Sequence, residues 1–237
     1  YFVNKKFGPK HVVKAGVNLD YYLFSMIDSV YNDRTTKDWS VRWDHVGNAA
    51  LFQPYIQWKY RISQKLVLNT GLHSQYFSLN NSLSAIEPRI GLKWSLKENQ
   101  SVNFGAGLHS QLQPMYTYFY HIEKGNEFVQ HNKGMDFSKS IHYVLGYDNR
   151  LGKNMRLKIE SYYQQLYNIP VTIQPSSFSL VNQGSGFARF FPDSLENSGT
   201  GENYGIEFTI EKFFSKKFFF MATISLFESN YKEALWK

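Results

Sequence analysis

The pentapeptide Gly-Leu-His-Ser-Gln occurs twice, at residues 71–75 and again at residues 107–111. Each copy places a histidine beside a serine, the two side chains from which a hydrolase builds a general base and its nucleophile. If the segment is extended, however, adjacent side chains point to opposite faces of the strand. His73 and Ser74 would then point apart, so the sequence argues against catalysis by this pair.

Three histidines raise the alternative of a metal site, because His73, His109 and His142 could all face one side of a sheet. Metal ligands must converge on one ion, whereas His109 lies two predicted strands along the sheet from His73, a distance of about 10 Å. The chain has no cysteine to supply a thiolate ligand. We therefore expect no metal and no cofactor. The histidines, together with Gln75 and Gln111, are expected to be hydrogen-bonded residues of a wet interior.

Composition indicates a folded chain with an unusual demand for aromatic rings. Of the 237 residues, 43% are hydrophobic and 19% are charged, which argues against disorder, and 18% are aromatic. The net charge of +7 is spread among interleaved acids and bases, so nucleic acid is not an expected partner. No window reaches the roughly 20 apolar residues of a membrane-spanning helix.

Short polar breaks alternate with longer irregular stretches along the chain. The breaks are at residues 7–10, 62–65, 96–100, 151–154 and 214–217, and the irregular stretches are at about 25–48, 80–85, 114–137 and 169–200. The pattern predicts ten strands joined alternately by tight turns and long loops. The predicted strands are residues 1–7, 10–24, 49–62, 65–79, 86–97, 100–113, 138–151, 154–168, 201–214 and 217–229.

Within these strands, apolar and polar side chains alternate, as when Leu66, Leu68 and Leu72 oppose Asn69 and His73. A soluble β-sandwich shows the same alternation. The length of the strands and the rings at their ends must therefore distinguish a sandwich from a membrane barrel. Most of the strands exceed the 9 to 11 residues of a transmembrane strand, and rings crowd their ends as in membrane-interface girdles. The sequence therefore predicts an all-β fold, an antiparallel up-and-down transmembrane β-barrel of about ten strands that form part of a larger barrel.

Seven polar residues are predicted to face the lumen of that barrel: His73, Gln75, Glu87, Arg89, Lys93, His109 and Gln111. Charged residues of later strands extend this set, namely Arg156, Lys158, Glu160, Glu207 and Glu211. Because both signs occur on neighbouring strands, cross-strand pairing is the expected role. The functional alternative is that these groups hold a separate plug by polar contacts that can be released.

Three stretches resemble TonB-dependent outer-membrane receptors, particularly those of Bacteroidetes: IEPRIGLKWSL at 86–96, GYDNRLGKNMRLKIESYYQQLYNIPV at 146–171 and NSGTGENYGIEFTIEKFF at 197–214. That family closes a barrel of about 22 strands around an N-terminal plug. The resemblance implies that residues 1–237 are part of the barrel, without the plug, in a bacterial outer membrane. It also implies that the partners are outer-membrane lipid, the TonB complex through the missing plug, and in some systems a surface lipoprotein.

The same resemblance implies a receptor that imports a nutrient, whether siderophore, glycan, peptide or cobalamin, and that performs no chemistry of its own. For contact with the ligand we predict rings near the long loops: Trp39, Trp43, Tyr116, Tyr118 and Tyr120, with Phe178 nearby. Packing or a membrane girdle is the alternative role for these rings. Two other functions remain open, a membrane-barrel hydrolase and a soluble or surface-exposed β-rich adhesin.

Overall fold

Alternating apolar and polar residues form ten long strands in the computed structural model, which describes residues 1–32, 37–124, 127–183 and 194–232. The strands are β1 (Phe2–Phe7), β2 (His11–Asn32), β3 (Asp38–Arg61), β4 (Leu66–His73), β5 (Glu87–Lys97), β6 (Gln100–Gln111), β7 (Ser138–Leu151), β8 (Met155–Thr172), β9 (Leu195–Ser215) and β10 (Phe218–Lys232). Each pairs antiparallel with its neighbours in sequence, in the order β1 to β10. The predicted up-and-down topology is therefore confirmed.

Irregular segments lie on the long connections. They include the paired segments Tyr76–Phe77 and Ser82–Leu83, the paired segments Ile122–Lys124 and Glu127–Val129, the helix α1 (Met115–Tyr118) and the 3-10 turns His131–Gly134 and Leu180–Gln183. Among the described residues, no helix has the length and apolar character to cross a membrane. In the same part of the chain, β1 and β10 do not pair with each other, so the sheet is open at both edges.

The predicted connection at 25–48 is wrong, because β2 and β3 continue through most of it and reach 22 and 24 residues. Their extension is held by backbone pairing and by an ion pair of 2.6 Å between Arg42 and Asp28. Alternation continues in this hairpin, but polar residues interrupt its apolar face. The sequence therefore has the composition of a loop although the segment is extended. The predicted strand 65–79, by contrast, ends at His73.

The two faces of the sheet differ in chemistry, as two adjacent rows of paired residues across six strands illustrate. One row reads Leu92, Phe104, Leu145, Ser161, Ile206 and Leu226. The other row reads Lys93, Asn103, Gly146, Glu160, Glu207 and Ser225. We call the first side the apolar face and the second the polar face.

Side chains of the apolar face are exposed although they are large and hydrophobic. Phe104 is 42% exposed, Leu145 is 53% exposed and Leu226 is 63% exposed. Moving apolar surface from water into a hydrocarbon environment is favourable by about 25 cal/mol for every Å². Leaving these side chains in water would lose that free energy. The face is therefore built for contact with an apolar solvent.

The buried core lies on the polar-face side of the sheet, at the end of the long connections. Leu51 of β3 is buried and shares a face with Gln53, because side chains two apart point the same way. Rings from the long connections, including Phe77, Phe119 and Phe137, are fully buried in the same cluster. The long connections thus fold over the polar side and close part of that end.

Candidate functional site

A buried carboxylate at the start of β5 organises the upper part of the polar face. The side chain of Glu87 is 0% exposed, and its Oε2 lies 2.8 Å from His73 Nδ1 and accepts a hydrogen bond of 3.0 Å from Arg89 Nη2. The register of β4 and β5 places His73 directly opposite Glu87. The amide of Gln75 donates to the other oxygen, Oε1, at 3.1 Å. We call these four residues the Glu87 hub.

Gln75 extends the hub to a third strand and to the connection that follows β4. Its side-chain amide also donates to the carbonyl oxygen of Ser110 in β6, at 2.8 Å. Its backbone N–H donates to the hydroxyl of Ser84 at 2.8 Å. Segment 74–86 is therefore tied to the sheet at both ends, and the hub fixes the position from which Phe77 enters the buried core.

The second copy of the repeated pentapeptide has different surroundings. His109 packs against His142, with ring centroids 4.7 Å apart. His142 is held in turn, because its Nε2 lies 2.8 Å from Ser140 Oγ and 2.6 Å from Gln164 Nε2. Gln111 is exposed at the end of β6. The described part of the chain holds no cluster of side chains suited to a metal ion.

Charged residues occupy the lower part of the polar face, towards the short turns. Arg156 forms an ion pair with Asp148 of the neighbouring strand, and Lys158 forms one with Glu160 along its own strand. Asp148 was not among the predicted residues, although its alternation with Gly146 places it on this face. Lys93 is exposed and has no carboxylate within ion-pair distance among the described residues.

The rings that were predicted to contact a ligand differ in burial, and two of them are fully buried. Trp43 is 1% exposed and donates its indole N–H to the carbonyl oxygen of Tyr116 at 2.7 Å. Tyr118 is 0% exposed, its hydroxyl accepts a 3.3 Å hydrogen bond from the backbone N–H of Gln113, and burial raises its pKa to about 12. These two rings have no free surface on which a ligand could stack, and they pack the core.

The other predicted rings are more accessible. Trp39 is 62% exposed and makes an edge contact with Tyr31 in the extended hairpin. Tyr116, Tyr120 and Phe178 pack at the margin of the buried cluster and remain partly exposed. The structure therefore does not bring all of the predicted rings to one surface.

Sequence reasoning missed the polar side chains that anchor the long connections. The buried Asn132 accepts a hydrogen bond of 2.8 Å from the backbone N–H of Leu195. Asn197 accepts from the backbone N–H of Asp136 at 2.9 Å, and Gln113 donates to the carbonyl oxygen of Asp136 at 2.7 Å. Asparagine in a loop signals a turn, but the sequence does not say which distant backbone group it will bind.

The family is settled by a comparison with models of known families, in which TonB dependent receptor-like, beta-barrel matches residues 2–235. The chain belongs to this family. It forms part of an outer-membrane β-barrel, and the lipid of that membrane is the apolar solvent that the apolar face requires. No sequence among the curated proteins matches it.

Solved structures of transporters share this fold at low sequence identity. The siderophore receptor PirA from Pseudomonas aeruginosa aligns with a TM-score of 0.68 and 13% identity, covering 97% of this chain and 41% of that one. The FrpB iron transporter (F3-3 variant) from Neisseria meningitidis aligns at 0.64 and 12%, covering 97% and 34%. The RagAB peptide importer aligns at 0.65 and 10%, covering 97% and 29%. The chain thus spans between about a third and two fifths of the length of the first two.

Proposed function

We propose that this chain is part of the barrel of a receptor that binds an extracellular nutrient and imports it with energy supplied through TonB. The observation that carries the proposal is the contrast between the two faces of one sheet. The apolar face is exposed to lipid, and the polar face is hydrogen-bonded and partly covered by packed loops at one end. A wall of this kind surrounds a polar passage.

Ligand capture belongs at the end covered by the long connections, where accessible rings occur. Trp39, Tyr116 and Tyr120 supply surfaces on which a sugar, a cyclic chelate or a peptide could stack. The structural neighbours include an iron transporter, a siderophore receptor and a peptide importer. The proposed cargo is a siderophore, a glycan, a peptide or cobalamin. A surface lipoprotein is a further proposed partner.

The charged lower part of the polar face suits contact with a plug that must later move. Lys93 offers an ammonium that has no ion-pair partner among the described residues. Partly exposed pairs such as Arg156 with Asp148 are screened by water and exchange partners at little cost. In the complete receptor, these groups would hold the plug and release it when the TonB complex pulls. TonB itself would act on the plug and not on this wall.

A growth experiment tests the proposal. Cells that carry the complete gene should grow on one of a panel of single nutrients, comprising iron chelates, cobalamin, oligosaccharides and peptides, and cells that lack the gene should not. Deleting TonB should abolish that growth, because passage past a plug requires energy. Cells without TonB should still grow on a nutrient small enough for general porins. Growth that depends on the gene but persists without TonB would contradict the proposal.

The two alternative functions are less well supported by the geometry. A hydrolase needs serine, histidine and a carboxylate in one hydrogen-bonded line. His73 is engaged by Glu87, and among the described residues the Ser140 and His142 pair has no carboxylate bonded to it. An adhesin would bury the apolar face within its own core, whereas Leu145 and Leu226 are exposed. We therefore propose a binding and transport role without catalysis.

A further inference from the structure

The two identical pentapeptides differ in one respect, which is whether their polar side chains find partners within the chain. In the first copy, His73 and Gln75 are both bonded to Glu87, and Gln75 is only 6% exposed. In the second copy, neither His109 nor Gln111 makes a side-chain hydrogen bond to any described residue. Their hydrogen-bonding atoms are therefore available to something outside the described chain.

Both side chains of the second copy line a cavity of about 500 Å³ on the polar face, between β6, β7, β8 and the 3-10 turn Leu180–Gln183. The strands contribute hydrogen-bonding groups that carry no formal charge, among them Ser138, Ser140 and Gln164. None of the described residues that line the cavity is a carboxylate. Among the same described residues, the one ammonium belongs to Lys139, which by alternation lies on the apolar face with Ile141.

A second part of the lining, which we call the aliphatic wall, adjoins these groups, since Leu166 pairs with Ser140. It includes Leu166, Ile169, Leu180 and Val181, of which Leu166 is 9% and Ile169 is 3% exposed. Besides the imidazoles of His109 and His142, Tyr116 is the one aromatic ring among the lining residues that the structure describes. The cavity therefore joins a row of neutral hydrogen-bonding groups to a surface that accepts branched hydrocarbon.

This lining discriminates among the classes of cargo. An anionic iron chelate would lose water without gaining a cationic partner from the described residues of the polar face, which costs several kcal/mol for a desolvated charge. A sugar is held chiefly by stacking on rings, and Tyr116 is the one phenol ring that the described lining offers it. A peptide without charged side chains matches both walls, because glutamine pairs with backbone amides and the aliphatic wall accepts leucine or valine side chains.

We infer that His109 and Gln111 form part of a binding site for short, uncharged peptides that carry aliphatic side chains. The inference rests on the proposed import function and specifies its cargo. Gln111 bonds the peptide backbone of the ligand, His109 accepts or donates one further hydrogen bond, and the aliphatic wall covers the ligand's side chains. The first copy of the pentapeptide has a different role, since its His73 and Gln75 side chains are already bonded to Glu87.

Calorimetric titration of the purified complete receptor tests the site. The probe is a tetrapeptide of alanine, leucine and valine with acetylated and amidated termini, and the comparators are a glutamate-containing tetrapeptide and maltotetraose. The native receptor should bind the probe most tightly. Gln111→Ala and His109→Ala should each weaken binding about tenfold, equivalent to roughly 1.4 kcal/mol.

The matched control is Gln165→Ala, which removes the same amide from the apolar face of β8, opposite Ile141. It should leave the affinity within about twofold, and all variants should melt as the native receptor does. If Gln111→Ala misfolds, Gln111→Met preserves the length of the side chain and should show the same loss. Failure of the native receptor to bind the probe, tighter binding of either comparator, or equal loss in the control would overturn the inference. TonB-dependent growth on another nutrient would leave the proposed function standing.

Discussion

Replacing Phe104 by arginine should lower the free energy of unfolding by about 2–4 kcal/mol, the cost of a cation near the middle of a bilayer. Phe104 lies on the apolar face of β6, four residues beyond the start of the strand, which is about 13 Å from the short turn. A lipid-facing arginine at that depth must carry its charge into hydrocarbon or distort the bilayer. The complete receptor, folded into phosphatidylcholine bilayers and unfolded with guanidinium, provides the measurement.

Asn103→Arg is the control for that substitution. Asn103 is adjacent in sequence but lies on the polar face, in the row that contains Lys93 and Glu160. Its arginine would stay in a polar environment, opposite Lys93 and with Glu160 reaching over Gly146, and the change in stability should remain within about 1 kcal/mol. Equal losses at the two positions would mean that both faces meet the same medium.

Replacing Glu87 by alanine should cost about 3 kcal/mol, because the change removes a fully buried carboxylate and leaves its hydrogen-bond partners unsatisfied. Arg89 should contribute little to this loss of stability, because its side chain is 42% exposed and water can replace the lost hydrogen bond. Most of the loss should come from Gln75 and His73. Glu87→Gln keeps the shape and part of the bonding, so its effect should be smaller.

Thermal unfolding in bilayers and limited proteolysis at segment 74–86 would measure this effect together. The proteolysis readout follows from the bonds that Gln75 makes to Ser84 and Ser110, which lose their anchor when Glu87 is removed. Glu98→Ala, in the exposed turn between β5 and β6, is the control and should change stability by less than 0.5 kcal/mol. Unaltered melting and proteolysis of Glu87→Ala would show that the hub is dispensable.

The strands could be predicted because a residue period of two is a local property. In β6, Val102, Phe104 and Leu108 oppose Asn103 and His109 without a break, and the turn residues bound the run on one side. Alternation alone also revealed the two faces. The prediction of a loop at 25–48 was wrong because the hairpin of β2 and β3 extends beyond the regular apolar pattern. Charged residues such as Asp28 lie within these strands.

The contacts of the site could be predicted only in part. Alternation placed His73 and Glu87 on strands that could pair, but their direct contact depends on the register of β4 and β5. Burial of Tyr118 depends on how the loop after β6 folds back over the polar face, which no local pattern specifies. The different contacts of the two identical pentapeptides follow from the presence of Glu87 beside the first copy.

A scan of single cysteines along β6 tests most directly whether lipid lies on one side of this sheet and a polar lumen on the other. The chain contains no cysteine, so each introduced thiol can carry the one spin label of the complete receptor if no further cysteine occurs elsewhere in it. Collisions with dissolved oxygen, which concentrates in lipid, should be frequent at 102, 104, 106 and 108 and rare at 101, 103, 105 and 107. Oxygen contact that does not alternate, or that peaks at the odd positions, would contradict the account.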